Sequence, residues 1–224
     1  MRNLIPIFDL DDTLYCEHDY VRSGFKTVAN FIANQYSFVT SDLLYKDFID
    51  VLSSQGRGQI FNIICDKYNI PIDISLLVQV YREHKPELVL YDDAKEALIY
   101  FITRSIPIGL ITDGDSTTQW RKIESLQLDK LFNVIVVTND LGIEYWKPSV
   151  VPYKKVAKAL NVPIGKCVYI GDNPNKDFIT AKKLGMKTIR IVREIGDHMK
   201  TRLDNIYEAD KEIYSLTELL AEWS

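Results

Sequence analysis

Residues 4–13 read Leu-Ile-Pro-Ile-Phe-Asp-Leu-Asp-Asp-Thr, and they indicate the architecture of the chain. The first half is a short apolar run, which is typical of a strand buried on both faces of a sheet. The second half places three carboxylates within four residues, directly after that strand. Carboxylates this close repel one another unless a cation lies among them. The segment therefore predicts a buried strand that carries acidic side chains to one edge of a sheet.

Further apolar runs bounded by turn residues recur along the chain, at 106–111, 134–137, 168–170 and 188–192. Helix-like segments lie between them, at 92–103, 117–126, 150–160 and 177–184, and a final helix is predicted over 215–223. Strands that alternate with helices predict a parallel sheet covered by helices on both faces, so the fold class is α/β.

The region between about residues 20 and 85 departs from this alternation. Four amphipathic segments follow one another there without a strand between them, at 20–35, 42–52, 59–68 and 75–84. Ser, Gly and Pro residues separate these segments. We therefore predict a small all-helical module, residues 16–87, inserted into a core formed by residues 1–15 and 88–224.

Composition excludes several classes of protein. The chain has 224 residues, of which 46% are apolar, so it can form a core without metal or disulfide staples. Its formal charge of −4 and its lack of a basic block argue against nucleic acid as a partner. Its three cysteines are odd in number and widely spaced, which favours reduced thiols and a cytoplasmic location. No run approaches the roughly 18 apolar residues of a membrane span.

Four short segments carry the candidate chemistry, and each lies near the predicted carboxyl end of a strand, where open α/β sheets bind ligands. In the first, Asp9 and Asp11 point to the same face if the chain is extended, so both can serve one reacting centre. The second, residues 112–114, reads Thr-Asp-Gly and offers a hydroxyl and backbone N–H groups to an anion. By itself this segment is equally typical of a turn that caps a helix.

The third and fourth segments supply a cation and two more carboxylates. Lys147 precedes a proline that begins a helix, although a single Lys-Pro pair is uninformative alone. Asp172 and Asp177 lie five residues apart after the predicted strand 168–170. An ordinary turn with a helix-capping Asp explains the last segment equally well.

The order of the four segments resembles the haloacid dehalogenase superfamily of phosphotransferases, over nearly the whole chain. As a pair, the first and fourth segments are specific to that superfamily. The second and third segments are specific to it only by their positions in the chain. The resemblance implies a Rossmann-like core with the first strand in the middle of the sheet. It also implies that the helical insert is the C1 cap of that family.

The resemblance further assigns roles to individual residues. Asp9 would be the nucleophile that becomes an aspartyl phosphate, and Asp11 would protonate the leaving oxygen and then deprotonate water. Thr112 would hydrogen-bond the phosphoryl group, and Lys147 would neutralise it. Members that displace halide lack an acid at the position of Asp11, so its presence favours phosphate transfer.

A metal site also follows from the resemblance. Asp9, Asp172 and the backbone carbonyl of Asp11 would hold Mg²⁺, which prefers hard oxygen ligands. Asp177 would not bind the metal ion directly. It would orient Lys147 or a metal-bound water.

Two further predictions concern substrate binding. Asp113 and Gly114 complete the phosphate-binding segment, with the Asp113 carboxylate turned away from the phosphate and the Gly114 N–H presented to it. Arg57 lies between two glycines in the insert and could hold a second anionic or hydroxylated part of a substrate, although a solvated loop arginine is equally expected.

The function expected from these features is Mg²⁺-dependent hydrolysis of a small phosphorylated metabolite, either a sugar phosphate or a nucleoside monophosphate. Two alternatives stay open. A phosphomutase shares the nucleophile and the acid but returns the phosphoryl group to its substrate. A non-catalytic phospho-acceptor switch also places Asp, Thr and Lys at strand ends, but such domains are about half this length and lack the leaving-group acid. The oligomeric state is not indicated.

Overall fold

The computed structural model describes residues 4–223 and divides them into two compact units. One unit contains residues 4–17 and 88–223, and the other contains residues 18–87. The division between them falls two residues after the predicted start of the helical insert, which places Cys16 and Glu17 with the first unit.

The first unit is built on a parallel sheet of six strands, which confirms the predicted α/β class. The sheet order is β3-β2-β1-β4-β5-β6. The strands are β1 (Ile5–Phe8), β2 (Gly109–Thr112), β3 (Val134–Val137), β4 (Cys167–Gly171), β5 (Lys187–Ile191) and β6 (Lys211–Ile213). Strand β1 is therefore central, and the chain order reverses between β1 and β4. In sheets of this order the ligand crevice lies at that reversal, beyond the carboxyl ends of the strands.

The second unit is helical. Its helices are α1 (Glu17–Gln35), which begins at the last residue of the first unit, α2 (Ser41–Gln55), α3 (Ile60–Tyr68) and α4 (Ile74–Glu83). Apolar residues at helical spacing bring Phe25, Phe48 and Phe61 into one aromatic cluster, with ring centroids 5.4–6.1 Å apart. Helix α2 begins where the side chain of Thr40 accepts a hydrogen bond from the Leu43 N–H.

The first unit contains the remaining helices, which are α5 (Asp92–Thr103), α6 (Ser116–Ser125), α7 (Val150–Ala159), α8 (Phe178–Lys183) and α9 (Leu220–Trp223). Short polar side chains start two of them. Asp115 accepts a hydrogen bond from the Thr118 N–H at the start of α6, and Ser149 accepts one from the Val151 N–H at the start of α7. Helices α6 and α7 therefore begin close behind Thr112 and Lys147.

Both faces of β1 are buried, as the apolar run predicts. Phe8 packs against Phe101 and Phe132, with ring centroids 6.2 Å and 6.1 Å away. Ile7 belongs to a cluster on the opposite face that includes Tyr153 and Phe178. A strand enclosed in this way fixes the position of the residue that follows it.

The structure differs from the sequence-based expectation at the end of the chain. Strand β6 was not predicted, because it is a three-residue edge strand in which two residues are charged. The predicted final helix is a 3₁₀ segment, Leu216–Leu219, followed by the single turn α9. Ser215 and Glu218 form a capping box at its start, which explains why the sequence resembles a longer helix.

Two further structural observations concern membrane-spanning helices and the state of the cysteines. No helix within residues 4–223 is long and apolar enough to cross a bilayer. Cys16, Cys65 and Cys167 are free thiols, in agreement with the expected absence of a disulfide framework.

Candidate active site

Three neighbouring strands deliver the site residues to one edge of the sheet. Asp9 follows β1, Thr112 ends β2, and Asp172 follows β4. The Asp9 N–H donates a hydrogen bond to the Ile170 carbonyl at 2.8 Å, which continues the pairing of β1 with β4. Because these strands are parallel and adjacent, their carboxyl ends place the three side chains in the crevice where the chain order reverses.

Lys147 is the buried cation of this crevice. Its ammonium nitrogen donates to Asp9 Oδ1 at 2.5 Å, to Asp177 Oδ1 at 2.7 Å and to the Tyr169 hydroxyl at 2.8 Å. Burial disfavours the charged amine, but the carboxylates of Asp177 and Asp9 outweigh burial and hold the pKa of Lys147 well above its usual value. The side chain is therefore a permanent positive charge between two carboxylates.

Asp9, Asp172 and Asp177 form a buried acidic cluster, in which one carboxylate oxygen from each lies within 4.8 Å of the others. Burial, which outweighs the attraction of Lys147, raises the pKa of Asp9 to about 7, and repulsion from Asp177 adds to it. Burial and then the carboxylates of Asp177 and Asp9 raise the pKa of Asp172 well above its usual value. Buried carboxylates that repel one another fit a divalent cation with oxygen ligands.

Asp177 is already committed to hydrogen bonds within the protein. Its Oδ1 accepts from Lys147, and its Oδ2 accepts from the Asn173 N–H at 2.9 Å. Gly171 makes room for it, because a Cβ atom at that position would lie 2.5 Å from Asp177 Oδ2. Asp9 and Asp172 are consequently the side chains with oxygens most available to a metal.

Asp11 lies in a separate set of contacts. Its Oδ1 accepts from the Tyr15 hydroxyl at 2.5 Å and from Lys122 Nζ at 2.7 Å, and its Oδ2 accepts from Gln119 Nε2 at 2.9 Å. Burial alone would raise the pKa of Asp11. The Lys122 charge and the three hydrogen bonds outweigh burial, so the pKa lies below its usual value. The arrangement therefore favours the ionised carboxylate.

Thr112 and Gly114 both lie against Gln119. The Gln119 amide donates to Thr112 Oγ1, so one amide group contacts Thr112 and Asp11 together. Gly114 has a φ of +135°, and a Cβ there would lie 3.1 Å from Gln119 Cδ. Glycine is therefore favoured at this turn both by backbone conformation and by space.

The Asp113 carboxylate supports the segment that carries Lys147. Its Oδ1 accepts from Thr138 Oγ1 at 2.8 Å and from the Lys147 N–H at 3.1 Å, and its Oδ2 lies 3.0 Å from Lys176 Nζ. Burial opposes ionisation of Asp113, but the charges of Lys147 and Lys176 and these hydrogen bonds hold its pKa below the usual value. A contact between Asp113 and substrate stays a prediction.

Asp12, the third carboxylate of the first segment, binds backbone N–H groups of the protein and so stabilises the loop after β1. Asp12 has a φ of +52°, and its two oxygens accept from the N–H groups of Glu17 at 2.9 Å and Asp197 at 3.1 Å. Burial, the largest effect, raises its pKa to about 6. Arg193 fastens the same loop through a 2.5 Å hydrogen bond to the Thr13 carbonyl. Asp12 therefore shapes the loop that presents Asp9 and Asp11.

Arg57 lies in the helical unit, between α2 and α3. It lines a cavity of about 220 Å³ within that unit, together with apolar residues that include Phe25, Leu52 and Tyr81. Contact between Arg57 and a substrate also stays a prediction.

Sequence reasoning missed four polar residues of this region: Tyr15, Gln119, Lys122 and Lys176. The sequence contains a signal for Gln119 and Lys122. Gln119 and Lys122 lie three residues apart on the face of α6 that also buries Ile123, so two polar residues occupy the inward stripe of an amphipathic helix. Buried polar side chains in such a stripe need partners, which indicates a site.

Comparisons with known proteins identify the family of the chain. A sequence profile of the haloacid dehalogenase-like hydrolases matches residues 6–191. The glyceraldehyde 3-phosphate phosphatase of Methanocaldococcus jannaschii is 28% identical over 220 residues, which cover 96% of this chain and 94% of that protein.

Two solved structures share the fold. The HAD-hydrolase YfnB of Bacillus subtilis, described as bound to magnesium, superposes with a TM-score of 0.69 at 21% identity and 100% coverage of both chains. A protein described as a beta-phosphoglucomutase from Thermotoga maritima gives a TM-score of 0.66 at 21% identity, with 98% of this chain and 99% of that chain covered.

Proposed function

This chain belongs to the haloacid dehalogenase-like hydrolases as a phosphatase-like enzyme, and on that premise we propose that it is a Mg²⁺-dependent phosphatase acting on a small sugar phosphate. The observation that carries the proposal is the contact of Asp9 with a buried ammonium, Lys147, beside a second buried carboxylate, Asp172. A phosphate monoester is an anion, so an attacking carboxylate needs positive charge around it before the two can meet.

Asp9 is the nucleophile in the first step. One of its carboxylate oxygens forms a bond to phosphorus while the bond from phosphorus to the leaving oxygen breaks, which leaves an aspartyl phosphate on Asp9. The proton that Asp11 took from water in the preceding turnover passes to the leaving oxygen, so that an alcohol departs. Lys147 offsets the negative charge that spreads over the transferred group. Thr112, at the end of β2, donates its hydroxyl to a phosphoryl oxygen.

The second step regenerates Asp9. Asp11 takes a proton from a water molecule, whose oxygen bonds to phosphorus as the bond to Asp9 breaks. The three donors around Asp11 favour its ionised form, which is the form that accepts this proton. The products are inorganic phosphate and the original Asp9 carboxylate.

Asp9 and Asp172, with the backbone carbonyl of Asp11, would hold the metal ion. When bound, Mg²⁺ supplies charge neutralisation and orientation for phosphate oxygens. Asp177 holds Lys147 from the opposite side and keeps it directed at Asp9. Because burial and repulsion raise the pKa of both Asp9 and Asp172, a cation that relieves the repulsion is favoured at this position.

The substrate class rests on size and on relatives. The helical unit, residues 18–87, would act as the cap that selects compact substrates. The curated relative described above carries the name of a triose phosphate phosphatase, which supports a small sugar phosphate over a nucleoside monophosphate.

The test is a phosphate-release assay on small sugar phosphates, nucleoside monophosphates and p-nitrophenyl phosphate, with Mg²⁺ or with EDTA. We expect release of free phosphate that requires Mg²⁺ and that Asp9→Asn abolishes. Asp11→Asn should retain under about 1% of the activity, because general acid–base catalysis contributes roughly 10²–10⁴-fold.

A surface carboxylate provides the control. Asp92 has a solvent-exposed side chain that pairs with Lys95 one turn along α5, so Asp92→Asn should keep wild-type turnover. Full phosphate release by purified Asp9→Asn would refute the assignment. Conversion of one phosphate ester into an isomer without free phosphate would instead identify a mutase.

A further inference from the structure

We propose that Lys122 is a positioning residue for the proton transfers of Asp11, and that Asp11 Oδ2 is the atom that carries the proton. The inference rests on the proposed function and adds to it a residue outside the four sequence segments. Lys122 would touch neither the phosphoryl group nor the leaving group. It would act through the orientation of the Asp11 carboxylate.

The contacts around Lys122 support this role. Its Nζ donates to Asp11 Oδ1 at 2.7 Å, while the second carboxylate nearby, Glu17, is more distant at 3.7 Å. The Lys122 side chain is only 3% exposed, although lysine side chains are almost never fully buried unless they are paired. A lysine enclosed so completely exerts its charge on its inward contact, the Asp11 carboxylate, and not on solvent.

The distribution of donors identifies the reactive oxygen. Lys122 and Tyr15 both donate to Oδ1, whereas among residues 4–223 Oδ2 accepts only from Gln119. A carboxylate oxygen has two acceptor positions, so Oδ1 is filled and Oδ2 keeps one. Gln119 also donates to Thr112, at the end of β2. The oxygen that keeps a free acceptor position, Oδ2, is therefore the one that Gln119 links to the phosphate-binding segment.

Two anchors on one oxygen restrict rotation of the carboxylate. Without Lys122, Oδ1 keeps only the Tyr15 hydroxyl, and the plane of the carboxylate can turn about its remaining contacts. Proton transfer demands a heavy-atom separation of about 2.6–3.2 Å in the reacting geometry, so a small rotation is costly. Helix α6, which starts at the Asp115 cap close behind Thr112, supplies both Gln119 and Lys122.

Leaving-group dependence separates this role from simple structural support. An alkoxide leaving group needs a proton as it departs, whereas p-nitrophenolate departs readily without one. The ratio kcat/KM reports the steps up to departure of the leaving group. Loss of positioning therefore lowers kcat/KM for an alkyl phosphate and spares p-nitrophenyl phosphate, whereas loss of structure lowers both equally.

The experiment compares Lys122→Met with wild type on p-nitrophenyl phosphate and on the alkyl phosphate that wild type hydrolyses fastest, at saturating Mg²⁺. We expect kcat/KM to fall about 10- to 100-fold for the alkyl phosphate, as part of the roughly 10²–10⁴-fold contribution of a general acid. For p-nitrophenyl phosphate we expect a change below about 3-fold, because that leaving group does not need the acid.

Further variants keep the test interpretable if Lys122→Met folds poorly. Tyr15→Phe removes the other donor to Oδ1 while keeping the buried ring, and it should show the same selectivity with a smaller loss. Arg121→Met is the matched control, because Arg121 is the neighbouring cation on α6 and pairs only at long range, 3.8 Å, with Glu124. Arg121→Met should keep both rates.

A double-mutant cycle with Asp11→Asn tests whether Lys122 acts through Asp11. If it does, Lys122→Met adds less than about 2-fold in the Asp11→Asn background, because residues of one unit are not additive. An equal loss on both substrates, or an additive loss in the cycle, would overturn the inference. A wild-type protein that hydrolyses no phosphate monoester would overturn the proposed function itself, so the two failures are distinguishable.

Discussion

Lys147 Nζ lies 2.5 Å from Asp9 Oδ1, and both side chains are buried. Lys147 is thus the one cation in direct contact with the acidic cluster among the ion pairs found in residues 4–223, and it contacts Asp177 as well. The charge of Lys147 therefore stabilises the fold even without substrate, because the carboxylates of Asp9 and Asp177 would otherwise lie buried without a counter-ion.

Lys147→Met should therefore reduce stability as well as activity. Removing one partner of a buried ion pair typically costs about 3–5 kcal/mol, because it leaves an uncompensated buried charge. Urea unfolding at neutral pH without divalent cations should show a loss of this size. Lys67→Met is the control, because Lys67 pairs with Asp47 but its side chain is 51% exposed, and solvent screening makes such a pair contribute much less to stability. Equal losses in the two variants would contradict the prediction.

Mg²⁺ should stabilise the protein, since it would relieve repulsion among Asp9, Asp172 and Asp177. At a concentration about 100 times Kd, a ligand specific to the folded state adds about 2.7 kcal/mol. For a chain of this size that corresponds to an increase in Tm of about 5–10 °C. Thermal melts with Mg²⁺ and with EDTA measure the shift. Asp172→Asn should lose most of it and Asp92→Asn should keep it; retention of the full shift in Asp172→Asn would remove Asp172 from the metal site.

Mg²⁺ affinity should depend on pH. Burial raises the pKa of Asp9 to about 7 in the metal-free protein, so below that pH the carboxyl group is protonated and must lose its proton to bind the ion. The affinity therefore approaches its full value above about pH 8 and falls as pH decreases through 7, with a slope that approaches about tenfold per pH unit well below the pKa for the one proton that Asp9 releases. Calorimetric titrations between pH 5.5 and 8 test this, with circular dichroism showing that the fold is unchanged. A constant Kd across that range would contradict the raised pKa.

The raised pKa of Asp9 has the opposite effect on the stability of the metal-free protein, which should decrease as pH rises. An acid whose pKa is higher when folded than when unfolded is destabilised as it ionises, so the contribution of Asp9 to stability is present at low pH and is lost as pH rises from about 4 to about 7. Asp9→Asn should flatten this dependence in denaturant titrations with EDTA. A steeper dependence in the variant than in wild type would show that another group is responsible.

Arg57→Ala should change substrate choice and leave the chemistry intact. The guanidinium could hold a second polar group of a substrate bidentately. A single charge-assisted interaction is worth roughly 1.5–3 kcal/mol, so its loss should raise KM for the preferred metabolite by about 10- to 150-fold. Turnover of p-nitrophenyl phosphate should persist. Arg82→Ala, on helix α4 of the same unit, is the comparison variant. Unchanged selectivity in Arg57→Ala would exclude it from substrate binding.

The sequence predicted most of the sheet because each central strand is a continuous apolar run. Strand β3 was placed at its observed bounds, and α5 likewise, since apolar periodicity and turn residues mark both. Strand β6 was missed because only Ile213 of its three residues is apolar and buried. Edge strands of this kind lack the local signal on which sequence reasoning depends.

The candidate residues that the sequence indicated include those at strand ends, whereas two of the residues that it missed, Gln119 and Lys122, lie on helix α6. Asp9, Thr112 and Asp172 are next to strand ends, so the parallel topology alone brings them together. Lys122 lies 111 positions from Asp11 in the chain, and its contact with that carboxylate depends on the packing angle of α6. No local pattern specifies such an angle, although a buried polar residue in the stripe indicates that a partner exists.

The loop after β1 is held by residues that come almost last in the chain. Asp12 accepts a hydrogen bond from Asp197, and the Thr13 carbonyl accepts one from Arg193, across separations of 185 and 180 residues. A nascent polypeptide interrupted before these positions would contain Asp9 and the local contact between Glu17 and Asp12, but it would lack both of these long-range contacts. We therefore expect this loop to reach its final geometry only after the carboxyl-terminal portion has been synthesised.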